Sequence, residues 1–352
     1  MKNLLIALVI IMNIGAFIFG EEVRPVRDDI GFCWNAEGMN RLMEFLKSTE
    51  KEKFTLPGLV AGISAHDDYL YAGRIYYPLF KNIKAPEVVI FGVTHGTVRK
   101  EIGDPQGKLI FDEFSYWPSP FGKVEVSPLR EYLKSKLDPA LFLVNNKAHE
   151  LEHSIEAMVP FLHYYNRDVR ITPIMVAPMD FDTMKTISSR LSKVLMDYLK
   201  EKNLEIGKDI FFLISADANH YGKDFNNVIY GEDAEAHRKG TERDRKIAGT
   251  CLSGLMTDEK VHNLTGELWG VTYKDFKDTY WCGKYSIPFG LLTVIDLVRQ
   301  LGKGKELTGE ILRISDTYTG GVLPLTQTGM GITAPFSLKH WVSFLSAAFY
   351  LK

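Results

Sequence analysis

Apolar runs enriched in β-branched residues recur along the chain at Leu59 to Ile63, Val88 to Val93, Leu141 to Val144, Val169 to Val176, Ile210 to Ile214 and Leu268 to Tyr273. Each has the length of a strand buried on both faces. Between them the apolar positions change to helical spacing: Ile155, Met158, Val159 and Leu162, then Met184 to Leu199, then Ala234 to Leu255. Near-continuous apolar strands separated by amphipathic helices predict a three-layer α/β/α sandwich around a mostly parallel or mixed central sheet. Asp112 to Lys123, rich in aromatics, Pro and Gly, interrupts the pattern and predicts an excursion or antiparallel hairpin near the mouth of the sheet. Its aromatics, Phe114, Tyr116, Trp117 and Phe121, together with Phe111 just before it, fit either a local core or the wall of a recognition groove.

The first residues follow another rule. Lys2 precedes an apolar run from Leu4 to Phe19, interrupted only by Asn13 and Gly15, and Glu21-Glu22-Val23-Arg24-Pro25 follows at once. The run is shorter than the roughly 20 residues that a relaxed membrane span needs, and Gly20 offers a small residue for cleavage. Residues 1–20 are therefore expected to be a signal peptide and residues 21–352 a single exported domain, periplasmic or extracellular, with no stable membrane span. Ile18 fits the small-x-small cleavage pattern poorly, so an uncleaved, membrane-anchored form is the alternative.

Composition narrows the function. An apolar content of 45% with 24% charged residues excludes wholesale disorder. A net charge of -2 provides no long-range attraction for a polyanion, which argues against nucleic acid and for a small-molecule or peptide ligand recognised locally. Three cysteines are too few for a disulfide framework but enough for one metal thiolate. Cys33 and Cys251 are expected to be inert and buried, with a disulfide between them as the alternative that export leaves open.

The chemistry gathers where strands end. The first run leads into Ser64-Ala65-His66-Asp67-Asp68-Tyr69, the second into Thr94-His95-Gly96, and the run at Ile210 into Ser215-Ala216-Asp217-Ala218-Asn219-His220. The carboxyl ends of parallel strands open onto one edge, so these groups can converge although they are far apart in sequence. Glu152-His153-Ser154 is expected to begin a helix whose positive end favours the carboxylate. Cys282 stands just before another expected helix start at Ile287, and soft sulfur beside imidazoles suits iron, copper or zinc better than magnesium or calcium.

Together these segments resemble the Memo-like family, whose bacterial members are often labelled AmmeMemoRadiSam system protein B. Ser64 to Gly73 is similar to its Pro-His-Ala-Gly-Tyr and Tyr-Ser-Gly stretches, Val93-Thr94-His95 to Gly-Pro-Ser-His, Glu152-His153-Ser154 to Glu-His-Ser, Ser215 to Gly222 to Ser-Ser-Asp-Phe-Ser-His-Tyr-Gly, and Cys282-Gly283 to a late Cys-Gly. The resemblance implies the fold of class III extradiol ring-cleavage dioxygenases. It implies a metal-facing set of His66, His95 and Cys282, with Asp217, His220 and His153 lining the same pocket as catalytic candidates. Asp67, Asp68, Glu152 and Tyr69 complete the expected pocket. Asp67-Asp68 stands where the family has Ala-Gly. The two acids could hold a second metal, orient His66 or face solvent.

The function expected from these residues is a mononuclear non-haem metal oxidoreductase. A divalent metal, iron(II) or else copper or zinc, would be held by two His and one Cys. His220 or His153 would serve as base, with Asp217 fixing the tautomer of its neighbour. A non-catalytic ligand- or peptide-binding module and a zinc-dependent hydrolase are the alternatives.

Overall fold

The computed structural model describes residues 22–352 except 53 and 303. The expected leader lies outside the described residues. No described helix is long and apolar enough to cross a membrane.

Twelve strands join in one mixed sheet: β1 (Leu59–Ser64), β2 (Glu87–Val93), β3 (Leu109–Phe111), β4 (Tyr116–Ser119), β5 (Gly122–Val126), β6 (Phe142–Val144), β7 (Arg170–Val176), β8 (Ile210–Ser215), β9 (His220–Tyr221), β10 (Gly254–Leu255), β11 (Leu307–Asp316) and β12 (Trp341–Leu351). The main path runs β10-β11-β12-β1-β8-β2-β7-β3-β6. Its centre, β1-β8-β2-β7, is parallel, whereas β12 pairs antiparallel with both β1 and β11. Strand residues alternate between two cores. Val89 and Phe91 of β2 face one, Val88 and Ile90 the other. Two-sided burial explains why these strands read as continuous apolar runs.

The first core is closed by α4 (Leu129–Lys136), α7 (Phe181–Lys202), α8 (Ala234–Cys251), α9 (Asp258–Leu268) and α10 (Ser286–Leu301). On the opposite face lie α1 (Ala36–Thr49), α2 (Tyr69–Phe80) and α6 (Val159–Tyr165). Two short helices, α3 (Gly96–Glu101) and α5 (Asn146–Leu151), sit near the edge where β2 ends. Local chemistry sets these boundaries: Asn35, Asn145, Asp180 and Asp233 each accept a first-turn amide at the start of α1, α5, α7 and α8.

Two expectations need correction, and the alternative of a Cys33–Cys251 disulfide falls away while the expected inert burial holds. Leu268 to Tyr273 is no strand: α9 ends at Leu268, and the chain then turns so tightly that a Cβ on Gly270 would lie 2.8 Å from the Phe276 carbonyl oxygen, with Val271 99% exposed. The helix expected over Ala234 to Leu255 stops at Cys251, and Gly254–Leu255 pairs with β11 as an edge strand. Cys33 and Cys251 are both buried, unpaired thiols in the two cores on opposite faces of the sheet, which keeps them apart. The hairpin forms as expected from β4 and β5, and Phe111, Phe114 and Trp117 are buried, so its aromatics are chiefly local core.

Candidate metal centre

His66, His95 and Asp217 each follow the last residue of a strand by two positions, and those strands, β1, β2 and β8, are adjacent in the sheet. Twist and register therefore bring the three groups to one edge. Cys282 arrives from the far side, on a loop that is bridged to Asn219 through Trp281. Gly283 allows that approach, because a Cβ there would stand 2.3 Å from the Ala216 Cβ. Ligand atoms of His66, His95 and Cys282 lie within 4.8 Å of one another.

The protons on these rings can be assigned. Ser215 gives its single hydroxyl proton to the Ser154 carbonyl at 2.7 Å, so toward His66 it can only accept. His66 Nδ1, 2.8 Å from that oxygen, is consequently the donor, and Nε2 keeps its lone pair. Burial, reinforced by the nearby His95 and His153 rings, holds the His66 pKa well below the usual imidazole range, which agrees with a neutral ring. Around Nε2 stand Asp217 Oδ2 at 3.3 Å and Cys282 Sγ at 3.5 Å, and burial pushes up the pKa of both, the acid to about 7, so that without a cation a proton on the thiol or the acid sits between these lone pairs. A buried meeting of lone pairs needs a proton or a cation between them.

His95 is held by a carboxylate. Its Nδ1 donates to Glu152 Oε1 at 2.8 Å, and its main-chain N–H to Oε2 at 2.9 Å. The amides of His153 and Ser154 also donate to Oε1. Burial alone would raise Glu152, but the His95 charge and this ring of donors hold it far below the ordinary carboxylate range. His95 shows the reciprocal effect: burial opposes its charge, yet Glu152 raises it. Glu152 does not begin a helix, as the sequence suggested; it caps the C-terminus of α5, and its amide partners belong to the turn before α6. Arg24, 1% exposed, donates to the carbonyls of His149 and Glu152, pairs with Glu156 at 3.0 Å and lies 4.4 Å from the Trp117 ring centroid.

The third donor is the Cys282 thiol. Burial and the Asp217 carboxylate push its pKa well up, although the Asp217 amide donates to Sγ at 3.2 Å. Helix α10 begins at Ser286, next to the expected start at Ile287, but the amide that donates to Sγ is that of Asp217 in the β8 loop. A thiolate here needs a cation.

A cavity of about 730 Å³ opens over these atoms, lined by His66, His95, His153, Asp217, His220 and Cys282 among others. His153 stacks on His95 at 4.9 Å between centroids. His220 Nδ1 donates to the Ala218 carbonyl at 3.2 Å, so that carbonyl, not Asp217, fixes its tautomer; Asp217 serves His66 instead, accepting its main-chain N–H. Tyr69 does not reach the cavity: its side chain points into the core, where the hydroxyl donates to the Ala157 carbonyl. Asp68 neither faces solvent nor orients His66. It is 3% exposed, and its Oδ2 accepts the Thr333 amide and hydroxyl. Sequence reasoning overlooked Ser215 and Arg24, the first hidden as the last residue of a strand, the second in a stretch read only as the end of a leader.

Comparison with known proteins agrees with the geometry. The family model described as Memo-like protein matches residues 34–301. A MEMO1 family protein of Aquifex aeolicus is 30% identical over 188 residues, 53% of this chain and 62% of the relative. One from Sulfurisphaera tokodaii is 28% identical over 250 residues, 68% of this chain and 72% of the relative. One from Methanococcoides burtonii is 28% identical over 165 residues, so this chain spans only 55% of that relative's length. With three strand ends and a Cys-Gly loop meeting at one edge inside the matched region, the chain belongs to the Memo-like family.

Proposed function

We propose that the protein holds one divalent metal, iron(II) first and copper or zinc as the other candidates, through His66 Nε2, His95 Nε2 and Cys282 Sγ, and acts as a mononuclear non-haem oxidoreductase on a small chelating ligand. The observation that carries this reading is the convergence of the His66, His95 and Cys282 ligand atoms within 4.8 Å of one another, with the Asp217 carboxyl beside them. Two imidazoles and one thiolate suit a first-row transition metal and leave positions open, and the metal would supply electron transfer to a bound ligand. The chain's own residues do the rest. Ser215 and Glu152 hold the two rings so that Nε2 faces the cavity. His220, whose pKa burial lowers to about 4, is neutral at working pH and takes a proton from a ligand hydroxyl through Nε2.

The test is metal content after anaerobic purification. Cys282→Ser is expected to lose at least tenfold in occupancy while Cys251→Ser retains it, and equal occupancy overturns the ligand set. A non-catalytic binding module is the second reading, favoured by the volume of the cavity and the half-exposed His153 at its edge. Oxygen uptake with a catechol separates the two. Export is proposed from the Leu4 to Phe19 run, and a mature chain beginning at Glu21 in mass spectrometry supports it.

A further inference from the structure

The cavity is unevenly charged. Asp28, Asp29, Asp67, Asp68, Asp217 and Asp224 border it, against Arg27 and Lys100. Acids at a rim are ordinary, but two at the floor are not. Asp217 is 2% exposed, and its Oδ2 lies 3.3 Å from His66 Nε2, an atom that the Ser215 contact leaves without a proton. Among the described residues no amide or hydroxyl donates to that oxygen; the His66 amide goes to Oδ1. Asp67 adjoins it. Oδ1 of Asp67 accepts the Asp68 amide at 2.6 Å, and among the described residues no lysine or arginine pairs with this carboxylate.

Asp68 is explained by its grip on Thr333, whereas among the described residues no hydrogen bond reaches the second oxygen of Asp67. Nor does Asp67 belong to the side chains whose ligand atoms gather around the proposed metal. The rings of Phe225 and Tyr280 line the same cavity, 5.0 and 5.9 Å from the His220 centroid. Burial, with Asp217 and Asp68 beside it, pushes the Asp67 pKa well up, so its charged form calls for a cation, and a carboxylate beside aromatic faces suits an organic ammonium.

We infer that the cavity selects ligands that carry a protonated amine beside the chelating head, with Asp67 receiving the ammonium, and that it rejects ligands ending in carboxylate or phosphate. This rests on the reading of a chelating ligand at His66, His95 and Cys282. Asp28 and Asp29 reinforce the preference from a segment that precedes the family-matched region.

Binding to the metal-loaded full chain tests it, with dopamine and 3,4-dihydroxyphenylacetate as probes of equal length and opposite charge. Dopamine is expected to bind at least tenfold tighter, and Asp67→Asn to shrink that ratio severalfold. Phenethylammonium and phenylacetate, which cannot chelate, are measured in parallel. If neither catechol binds but the amine still outbinds the acid, the chelation reading fails and the charge preference stands. Equal binding of amine and acid in both pairs, or tighter binding of the acids, overturns the inference. So does loss of metal in Asp67→Asn, which would make Asp67 a metal ligand.

Discussion

The Ser215 hydroxyl accepts the Nδ1 proton of His66 at 2.8 Å because its own proton is committed to the Ser154 carbonyl. One strand-end serine thereby decides which nitrogen of a ring on the neighbouring strand can face the cavity.

Ser215→Ala removes that control and leaves a buried N–H without a partner. Metal affinity is expected to fall 10- to 100-fold, as for other partners of metal-binding imidazoles. Competition against a chromophoric chelator measures it, and unchanged affinity would show that the proton assignment does not matter to binding.

His220→Ala should abolish turnover while keeping the metal. His220 has its own carbonyl partner at Ala218 and is absent from the cluster of His66, His95 and Cys282. Elemental analysis of the variant is decisive: loss of metal would move His220 among the ligands, since its ring also lies near Asp217 and Cys282.

Arg24→Ala deletes one partner of a fully buried ion pair and leaves Glu156 charged in the core. A cost of about 3–5 kcal/mol is expected. Urea unfolding reads the cost, and a second effect distinguishes this site from ordinary packing: without the guanidinium on its carbonyl, Glu152 holds His95 less firmly and metal affinity falls too.

Asp244, which is not among the side chains lining the cavity, gives a pH signature of its own. Burial raises its pKa to about 6, even though Thr279 and Trp281 donate to Oδ1. Folding therefore favours the protonated acid. Its contribution is fully present below the unfolded value near 4 and is lost as pH rises through 6, a swing of about 3 kcal/mol. Asp244→Asn keeps the acceptor and should abolish this part of the pH dependence. Thermal melts from pH 4 to 7 should show the variant gaining on the parent as pH rises, and parallel curves would refute the assignment.

The central strands and the histidines at their ends were legible because two-sided burial writes continuous apolar runs and parallel strands expose one edge. The C-terminal strands were less so. Trp341 to Leu351 carries aromatics but mixes them with Ala, Ser and Leu and has a single β-branched residue, Val342, so its place between β11 and β1 does much to make it a strand. Cys282 was legible as a candidate ligand but not for its surroundings, because the Asp217 amide that faces it lies 65 positions away in sequence. Glu152 was found by motif and misplaced by pattern. Its carboxylate gathers amides from a turn, and such a turn leaves no periodic trace.

Strand β12 pairs with β1, the earliest strand of the sheet, along Leu59 to Ile63. A ribosome or translocon releases residues 341–351 only after every other strand has emerged, so until then β1 presents an open, wholly apolar edge. Synthesis of this chain therefore leaves that border of β1 unsealed until the eleven-residue strand β12 arrives.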